Sequence, residues 1–493
     1  MDNIEFALNL PAWVTITHFV NVLFITLLMR SGIQILGDHP RLYLDDHCTP
    51  GSEWIKFTKK KVPTDRYYTS LDDAVNVSPV IGLPGGHHTL GLARFWHFMS
   101  VFFWILNGFI YAALLFGTGQ WRRLIPTSLD IFPRAIHTLH YYLTYHLPPI
   151  SEFRPYDPLQ QLAYGAVVFI LGPLAILTGA AMSPALAGRF PWYTKLFGGR
   201  QKARSIHFLV LVGFLQFLII HVSLVVITGF KKNMTHIIFG TEKHPDLAVA
   251  IGLGIIAFIV LIHIAVTIWS QKRPRSVQQK LGVLTNWMMK SFLYKLKSKQ
   301  NYTKKDISPY FWVNGYPPED PNWIEMSKNQ FRDYKLKVYG QVSNPLQLSL
   351  DDLRKLNYES NITKHCCIQG WSGVGEWTGI PVRDILTLCQ PLPSSKYIIF
   401  HSYQKDDGVH EYYSSLDLEE AKYPQCILAY EMNGETLSIS HGAPLRLRVE
   451  SKLGFKMVKW IRSIEIVDDF RTVGLGYGGF REDFQFFDRH AQI

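Results

Sequence analysis

Residues 207–221 read HFLVLVGFLQFLIIH, an apolar run closed at each end by a histidine. As a helix this stretch rises about 21 Å and brings the two imidazoles within roughly 40° of one face. His207 and His221 would then lie near opposite sides of a bilayer. A polar ring inside a membrane span needs a partner, and a haem iron held between two helices is one. Candidate second ligands lie in other apolar runs: His18 in ITHFVN and His97 in ARFWHF. We take the side bearing the N-terminus as side A and the opposite side as B. Depth along the spans then pairs His97 with His207 near B, and His18 with His221 toward A. His263, at B-side depth in a fifth run, is either a rival ligand or a hydrogen-bonding residue of the bundle. His137, His140 and His146 fall in a connection on side A, as solvated loop histidines or as part of a quinone pocket.

A second group of reactive side chains lies in KHCCIQGWSGVGEWTGIPVRDIL, residues 364–386. Free cysteine is usually a small core residue. Two adjacent cysteines followed by a glycine-rich turn and two tryptophans are a different pattern. A thiolate is a soft donor and suits a high-valent metal held through sulfur. The five cysteines, Cys48, Cys366, Cys367, Cys389 and Cys426, show no zinc spacing and no disulfide framework.

These groups need elements that hold them. The chain has 493 residues, 47% of them hydrophobic, and a length that allows two or three domains. Its apolar residues concentrate in the first 270. Five runs there have membrane-spanning length, at 11–29, 95–117, 159–182, 206–230 and 247–269. The polar connection 30–94 reads as an ordered surface excursion. In 271–309, Lys and Arg alternate with Trp287, Met288, Phe292 and Tyr294, which suits a helix at the bilayer interface. From 310 the pattern becomes α+β. LKVYGQV, SKYIIFHSY and LRLRVE read as strands and SLDDLRKL as a capped helix. The expected fold is multi-domain: an α-helical transmembrane bundle of five spans in 1–270, a basic interfacial linker at 271–309, an α+β domain at 310–470, and a C-terminal tail at 471–493.

The net charge is +11. The basic residues crowd the ends of the spans, so the partner they imply is a lipid membrane and not nucleic acid. Side A carries seven Lys or Arg: Arg122, Arg123, Arg134, Arg154, Lys231, Lys232 and Lys243. Side B carries about seventeen, and the positive-inside rule makes B cytoplasmic, together with the C-terminal domain. Residues 1–10 contain no Lys or Arg, so the first span is expected to stay as an anchor.

Over residues 10–270, His18, His97 and the His207/His221 pair resemble the di-haem cytochrome b family of formate dehydrogenase and thiosulfate reductase membrane subunits. That resemblance implies two b haems on these four histidines and exchange with quinone or quinol. Over 305–470 the chain resembles the sulfite oxidase family of molybdopterin enzymes. The pieces are CIQGWS (367–372), WTGIPVRDIL (377–386), LAYEMNGE (428–435), HGAPLRLRV (441–449) and GFKMVKWI (454–461). It implies that Cys367, four residues before Trp371, ligates molybdenum. It also implies that His441, Arg446, Lys456 and Lys459 hold the pterin phosphate, with Asn314 near the pterin. An arginine fork and ammonium groups suit a phosphate dianion. The positions of the family's substrate-anion arginines hold Val313 and Ser372, and the family's C-terminal immunoglobulin-like domain is not expected. Both features are closer to the bacterial branch that reduces sulfoxides. The expectation is therefore a membrane-bound molybdoenzyme of the bacterial inner membrane that works by oxygen-atom transfer on a small-molecule substrate, reduction being the favoured direction. The alternatives are a sulfite oxidase-like dehydrogenase and a non-enzymatic electron-transfer or sensor module without molybdenum.

Overall fold

The computed structural model describes residues 10–144, 146–148, 156–292 and 301–491. Tyr294 and the side chains of Met288 and Phe292, invoked for the linker, lie outside the described residues. Among the described residues, five helices are long and apolar enough to cross a membrane: Ala12–Asp38, Leu90–Gly117, Pro158–Met182, Arg200–Ile227 and Pro245–Lys272. At 25–28 residues each, they exceed the ~20 residues that a hydrocarbon core of ~30 Å requires. The third opens on a defined cap, with Asp157 accepting from the backbone of Gln160 and Pro158 in the first turn. A π-helical turn, Val167–Leu171, interrupts it. The fourth stops at Ile227, three residues short of the expectation, because Gly229 turns the chain at φ 117° into the helix Phe230–Phe239.

Packing divides the chain into two compact units. One comprises Met1–Gly32, Trp96–Ala180 and Arg204–Lys272; the other Ile33–Phe95, Ala181–Ala203 and Arg273–Ile493. This differs from the expected division at 270. The connection after the first span and the segment before the fourth pack with the C-terminal domain, for a polar reason. Arg41 is buried with Asp73 (2.7 Å) and Glu53 in a charge cluster of the connection. Asp46 pairs with Lys364, the backbone oxygen of Cys48 accepts from the Trp312 indole (2.7 Å), and Gln201 donates to the carbonyl of Gly370 (2.8 Å). The connection supplies partners that buried groups of the domain require.

The domain holds ten strands of interest: β1 (Lys335–Gly340), β2 (Leu346–Ser349), β3 (Glu359–Cys366), β4 (Ser372–Pro381), β5 (Tyr397–Lys405), β6 (Glu411–Asp417), β7 (Cys426–Met432), β8 (Glu435–Thr436), β9 (Arg446–Val449) and β10 (Ile461–Val467). One sheet runs β8-β7-β4-β3 with β9 also on β7; the other runs β2-β1-β10-β5-β6. All pairings are antiparallel except β10 with β1. The expected capped helix is Leu350–Lys355, closed by a reciprocal Ser349/Asp352 capping box. Fully buried Trp460, Phe400, Tyr334, Ile464 and Leu447 contribute to the core of the domain.

The stretch after β10 is more than a tail. Its short helix Phe480–Phe484 buries three consecutive charges, Arg481, Glu482 and Asp483. Asp483 accepts from the Tyr413 hydroxyl (2.5 Å) and from the backbone of Leu475 (2.9 Å) and Tyr477 (3.1 Å). Glu482 pairs with Lys456 at 2.6 Å.

Candidate functional site

Strand β3 ends at Cys366, and the chain turns through Cys367–Trp371 before returning as β4. The backbone of Cys367 donates to the carbonyl of Trp371 (3.1 Å), closing the turn, and Gly370 adopts φ 121° within it. Gln369 fixes the turn from inside, donating to the carbonyls of Asp38 (3.1 Å) and Ser70 (3.2 Å) while accepting from the Ser70 hydroxyl (2.7 Å). The two cysteines diverge as neighbours at the end of a strand should. Cys367 faces a cavity also lined by Asn314, His365, Trp371, Tyr412, His441, Arg446, Lys459 and Arg481. Cys366 faces a different cavity, with Lys364, Glu450 and Arg200. The Asn314 amide lies 3.7 Å from the Cys367 sulfur. Burial pushes the Cys367 thiol up to about 11, with the nearby Gln369 backbone and Asn314 opposing.

Of the five residues expected around the pterin, Asn314, His441, Arg446 and Lys459 meet in this cavity. Lys456 does not. It is wholly buried, and its ammonium is taken by Glu482 (2.6 Å) and the carbonyl of Gly478 (3.4 Å). The same satisfaction holds for other buried cations of the domain. Lys452 pairs with Glu420 (2.7 Å), Arg448 with Glu450 (2.7 Å) and Arg481 with Asp406 (3.0 Å). Among the described residues Arg446 and Lys459 have no such ion pair. Arg446 donates to the carbonyl of His441 (3.1 Å) and keeps a buried Nε without a partner. Lys459 donates to the carbonyl of Ser440 (3.1 Å). Burial, and then the charge of Arg448, lower Arg446 to about 9. Burial and Arg446 push Lys459 well below the ordinary lysine range, and burial with Arg446 and Lys459 lowers His441 to about 4. These groups repel one another at close quarters, and an anion such as a phosphate relieves both the repulsion and the unmet Nε. The donor set therefore fits the phosphate end of a molybdopterin, and the cavity that contains it also contains a thiol.

His365, Gln404, Asp406, Tyr412 and Arg481 line the same cavity and were missed. His365 stacks on Trp371 with centroids 5.2 Å apart and accepts from Arg448 (2.9 Å). The available signal was β3 itself, where period-two alternation puts residue 365 on the side of 367. Of the two positions noted for lacking arginine, Val313 lines the cavity. Ser372 turns away from it and donates to the carbonyl of Asp46 (3.1 Å).

Inside the helical unit the four histidines meet in the pairs that depth dictates. The rings of His97 and His207 have centroids 6.5 Å apart, and those of His18 and His221 6.4 Å. Two imidazoles on one metal, each at a metal–nitrogen distance of about 2 Å, put their centroids roughly 6 Å apart. The tautomers fit as well. Ser31 gives its hydroxyl proton to the carbonyl of Leu27 (2.8 Å), so it accepts from Nδ1 of His97 (3.0 Å). Thr178 gives its proton to the carbonyl of Leu174 (2.6 Å) and accepts from Nδ1 of His207 (3.0 Å). In both rings the proton then sits on Nδ1 and the Nε2 lone pair is the one a metal can use. His263 has the opposite arrangement. Thr26 donates to the carbonyl of Val22 (2.7 Å) and accepts from Nε2 of His263 (2.9 Å), while Nδ1 of that ring accepts from Arg30 (2.8 Å). His263 is a hydrogen-bonded bundle residue with both nitrogens used.

Residues 9–241 match the family described as prokaryotic cytochrome b561, and residues 323–472 match the oxidoreductase molybdopterin binding domain. A 182-residue stretch is 31% identical to a protein of Azospira oryzae named, provisionally, as the protein-methionine-sulfoxide reductase subunit YedZ1; it covers 37% of this chain and 63% of that one. A 176-residue stretch is 34% identical to the protein-methionine-sulfoxide reductase catalytic subunit MsrP of Xanthomonas campestris pv. campestris, covering 33% of this chain and 54% of that one. The chain thus spans between about half and two thirds of the length of these relatives. The sulfane dehydrogenase SoxCD of Paracoccus pantotrophus is 25% identical over 30% of this chain and 42% of that chain, with a TM-score of 0.26. That score is too low to bear on the fold. What the family matches and the helices establish is an integral membrane protein that joins a cytochrome b-type domain to a molybdopterin-binding oxidoreductase domain.

Proposed function

We propose that this chain takes electrons from quinol, carries them through two b haems, and delivers them to a molybdenum centre that reduces a small S–O or N–O substrate, sulfoxides first among them. The observation that carries the reading is the single cavity in which a thiol, Cys367, stands with two buried cations that have no ion pair, Arg446 and Lys459. Cys367 would hold the metal, and His441, Arg446 and Lys459 the pterin phosphate. When bound, the cofactor supplies a two-electron centre that exchanges an oxygen atom. The reaction balances as a sulfoxide with two electrons and two protons giving a thioether and water. Asn314 holds the Cys367 sulfur in place. Two relatives are named as parts of protein-methionine-sulfoxide reductases, which favours a sulfoxide over sulfite, as does an uncharged Val313 on the cavity wall. On the membrane side, the centroid distances support His97 with His207 and His18 with His221 as the pairs that would hold the two haems, and the hydroxyls beside Nδ1 of His97 and His207 support the first pair further.

The deciding experiment uses the purified, detergent-solubilised protein with a reduced viologen dye as donor. Sulfoxides, N-oxides, chlorate and sulfite are compared, and molybdenum and haem are quantified. Turnover of sulfoxides with one molybdenum and two b haems per chain is the expected result. A protein that lacks molybdenum after expression in a cofactor-competent host would reduce the reading to an electron-transfer module.

A further inference from the structure

Arg481 reaches the cavity from the C-terminal helix and not from either sheet. Its side chain and that of Asp406 are 6% and 8% exposed, and Nη2 lies 3.0 Å from Oδ2. The other oxygen of Asp406 accepts from Gln404 (3.0 Å), so the carboxylate is oriented as well as buried. Tyr412 frames the pair, with its ring 5.8 Å from the Arg481 guanidinium carbon and its hydroxyl donating to the carbonyl of Phe455 (2.6 Å). All four residues line the cavity that contains Cys367. The cavity therefore contains two kinds of cation. Arg446 and Lys459 have no ion pair and suit an anion. Arg481 has a carboxylate beside it, so its N–H groups are directed donors on a pair with no net charge.

We propose that the Arg481–Asp406 pair is a charge filter at the substrate site. It offers hydrogen bonds to the oxygen of a neutral S–O or N–O substrate, and through Asp406 it rejects oxyanions such as sulfite and sulfate. This rests on the reductase reading above and deepens it by naming the substrate's charge. A guanidinium donates to a dipolar oxygen whether or not a carboxylate stands beside it. An anion arriving at the same donors meets a fixed negative charge in a buried, weakly screened place. Asp406 is thus a specificity-determining residue and Arg481 a substrate-positioning one.

The test uses the holoenzyme, dimethyl sulfoxide as the neutral substrate and sulfate as the probe anion. Two readouts are taken: competitive inhibition of dye-driven reduction, and the sulfate-induced change in the Mo(V) electron paramagnetic resonance signal. The wild type should be insensitive to sulfate in both. Asp406→Asn should make sulfate a competitive inhibitor that binds about tenfold or more tighter and alters the Mo(V) signal. Asp406→Ser is the second neutral variant, should the first fold poorly, and Asp406→Glu should restore insensitivity. Arg481→Gln should raise the KM for dimethyl sulfoxide, and in combination with Asp406→Asn it should abolish the new sulfate binding. Sulfate binding to the wild type as tightly as to the neutral variants, or no gain in either variant, overturns the filter. Should the wild type reduce no sulfoxide at all, the reductase reading fails while the Mo(V) signal still decides the filter.

Discussion

Lys456 and Lys459 stand three residues apart in GFKMVKW and look alike in sequence, yet they do different work. Glu482 claims the first at 2.6 Å, and the second stands in the cavity without an ion pair. What separates them is a carboxylate 26 residues farther on, in a stretch without helical or strand periodicity. A run such as REDF reads by default as a solvated face, and only burial reveals it as three structural charges. That Cys367 and Cys366 line different cavities is a local matter, set where strand β3 ends and the turn to Trp371 begins. The lysines follow from this difference. Lys456→Ala leaves Glu482 buried and unpaired, which costs about 3–5 kcal/mol, and thermal denaturation should show the loss whether or not the cofactor is present. Lys459→Ala should leave the melting of cofactor-free protein near the wild type and lower the pterin and molybdenum content of the purified enzyme. For the cysteines, Cys367→Ser should abolish turnover and remove or alter the molybdenum signal, since a hydroxyl is a harder and far less acidic ligand. Cys366→Ser, in the neighbouring cavity, should stay active. Activity in the first and none in the second would shift the ligand by one position.

At the scale of elements, the spans were the most legible part. Length and apolarity alone specify a membrane helix, and four histidines could be matched by depth because a helix has a fixed rise. The connection 30–94 was not legible as part of the domain beside the thiol. Its contacts run over some 300 residues of separation, as from Ser70 to Gln369 and from Cys48 to Trp312, and they are made through polar groups that carry no period. The choice between His97 and His263 also lay beyond pattern, since both have B-side depth. The partners of each ring differ: Ser31 stands beside Nδ1 of His97, whereas Arg30 donates to Nδ1 of His263 and leaves its Nε2 to Thr26. His97→Ala and His207→Ala should each remove the same one of two b haems, and His221→Ala the other, when haem is measured by the pyridine haemochrome method. His263→Ala should retain both. Loss of a haem in His263→Ala, with none lost in His97→Ala, would reverse the pairing.

At the scale of the whole molecule, an odd number of crossings by the five long apolar helices among the described residues predicts that the start of the first span and the molybdopterin-binding domain lie on opposite sides of the membrane. The bias of Lys and Arg toward side B predicts that the molybdopterin-binding domain faces the cytoplasm. A C-terminal alkaline phosphatase fusion should then be inactive and a C-terminal fluorescent fusion bright; strong phosphatase activity would reverse the orientation. The membership of the two compact units has a further consequence. The chain does not pass once from membrane bundle to molybdopterin-binding domain, but enters and leaves the second unit through Ile33–Phe95 and again through Ala181–Ala203 before Arg273. The domain is stitched into the chain at three places. A single protease nick between the fifth span and β1 would not free it, because two other segments of the same unit remain continuous with membrane helices at both of their ends. The nicked protein should sediment intact with the membranes and come apart only in denaturant.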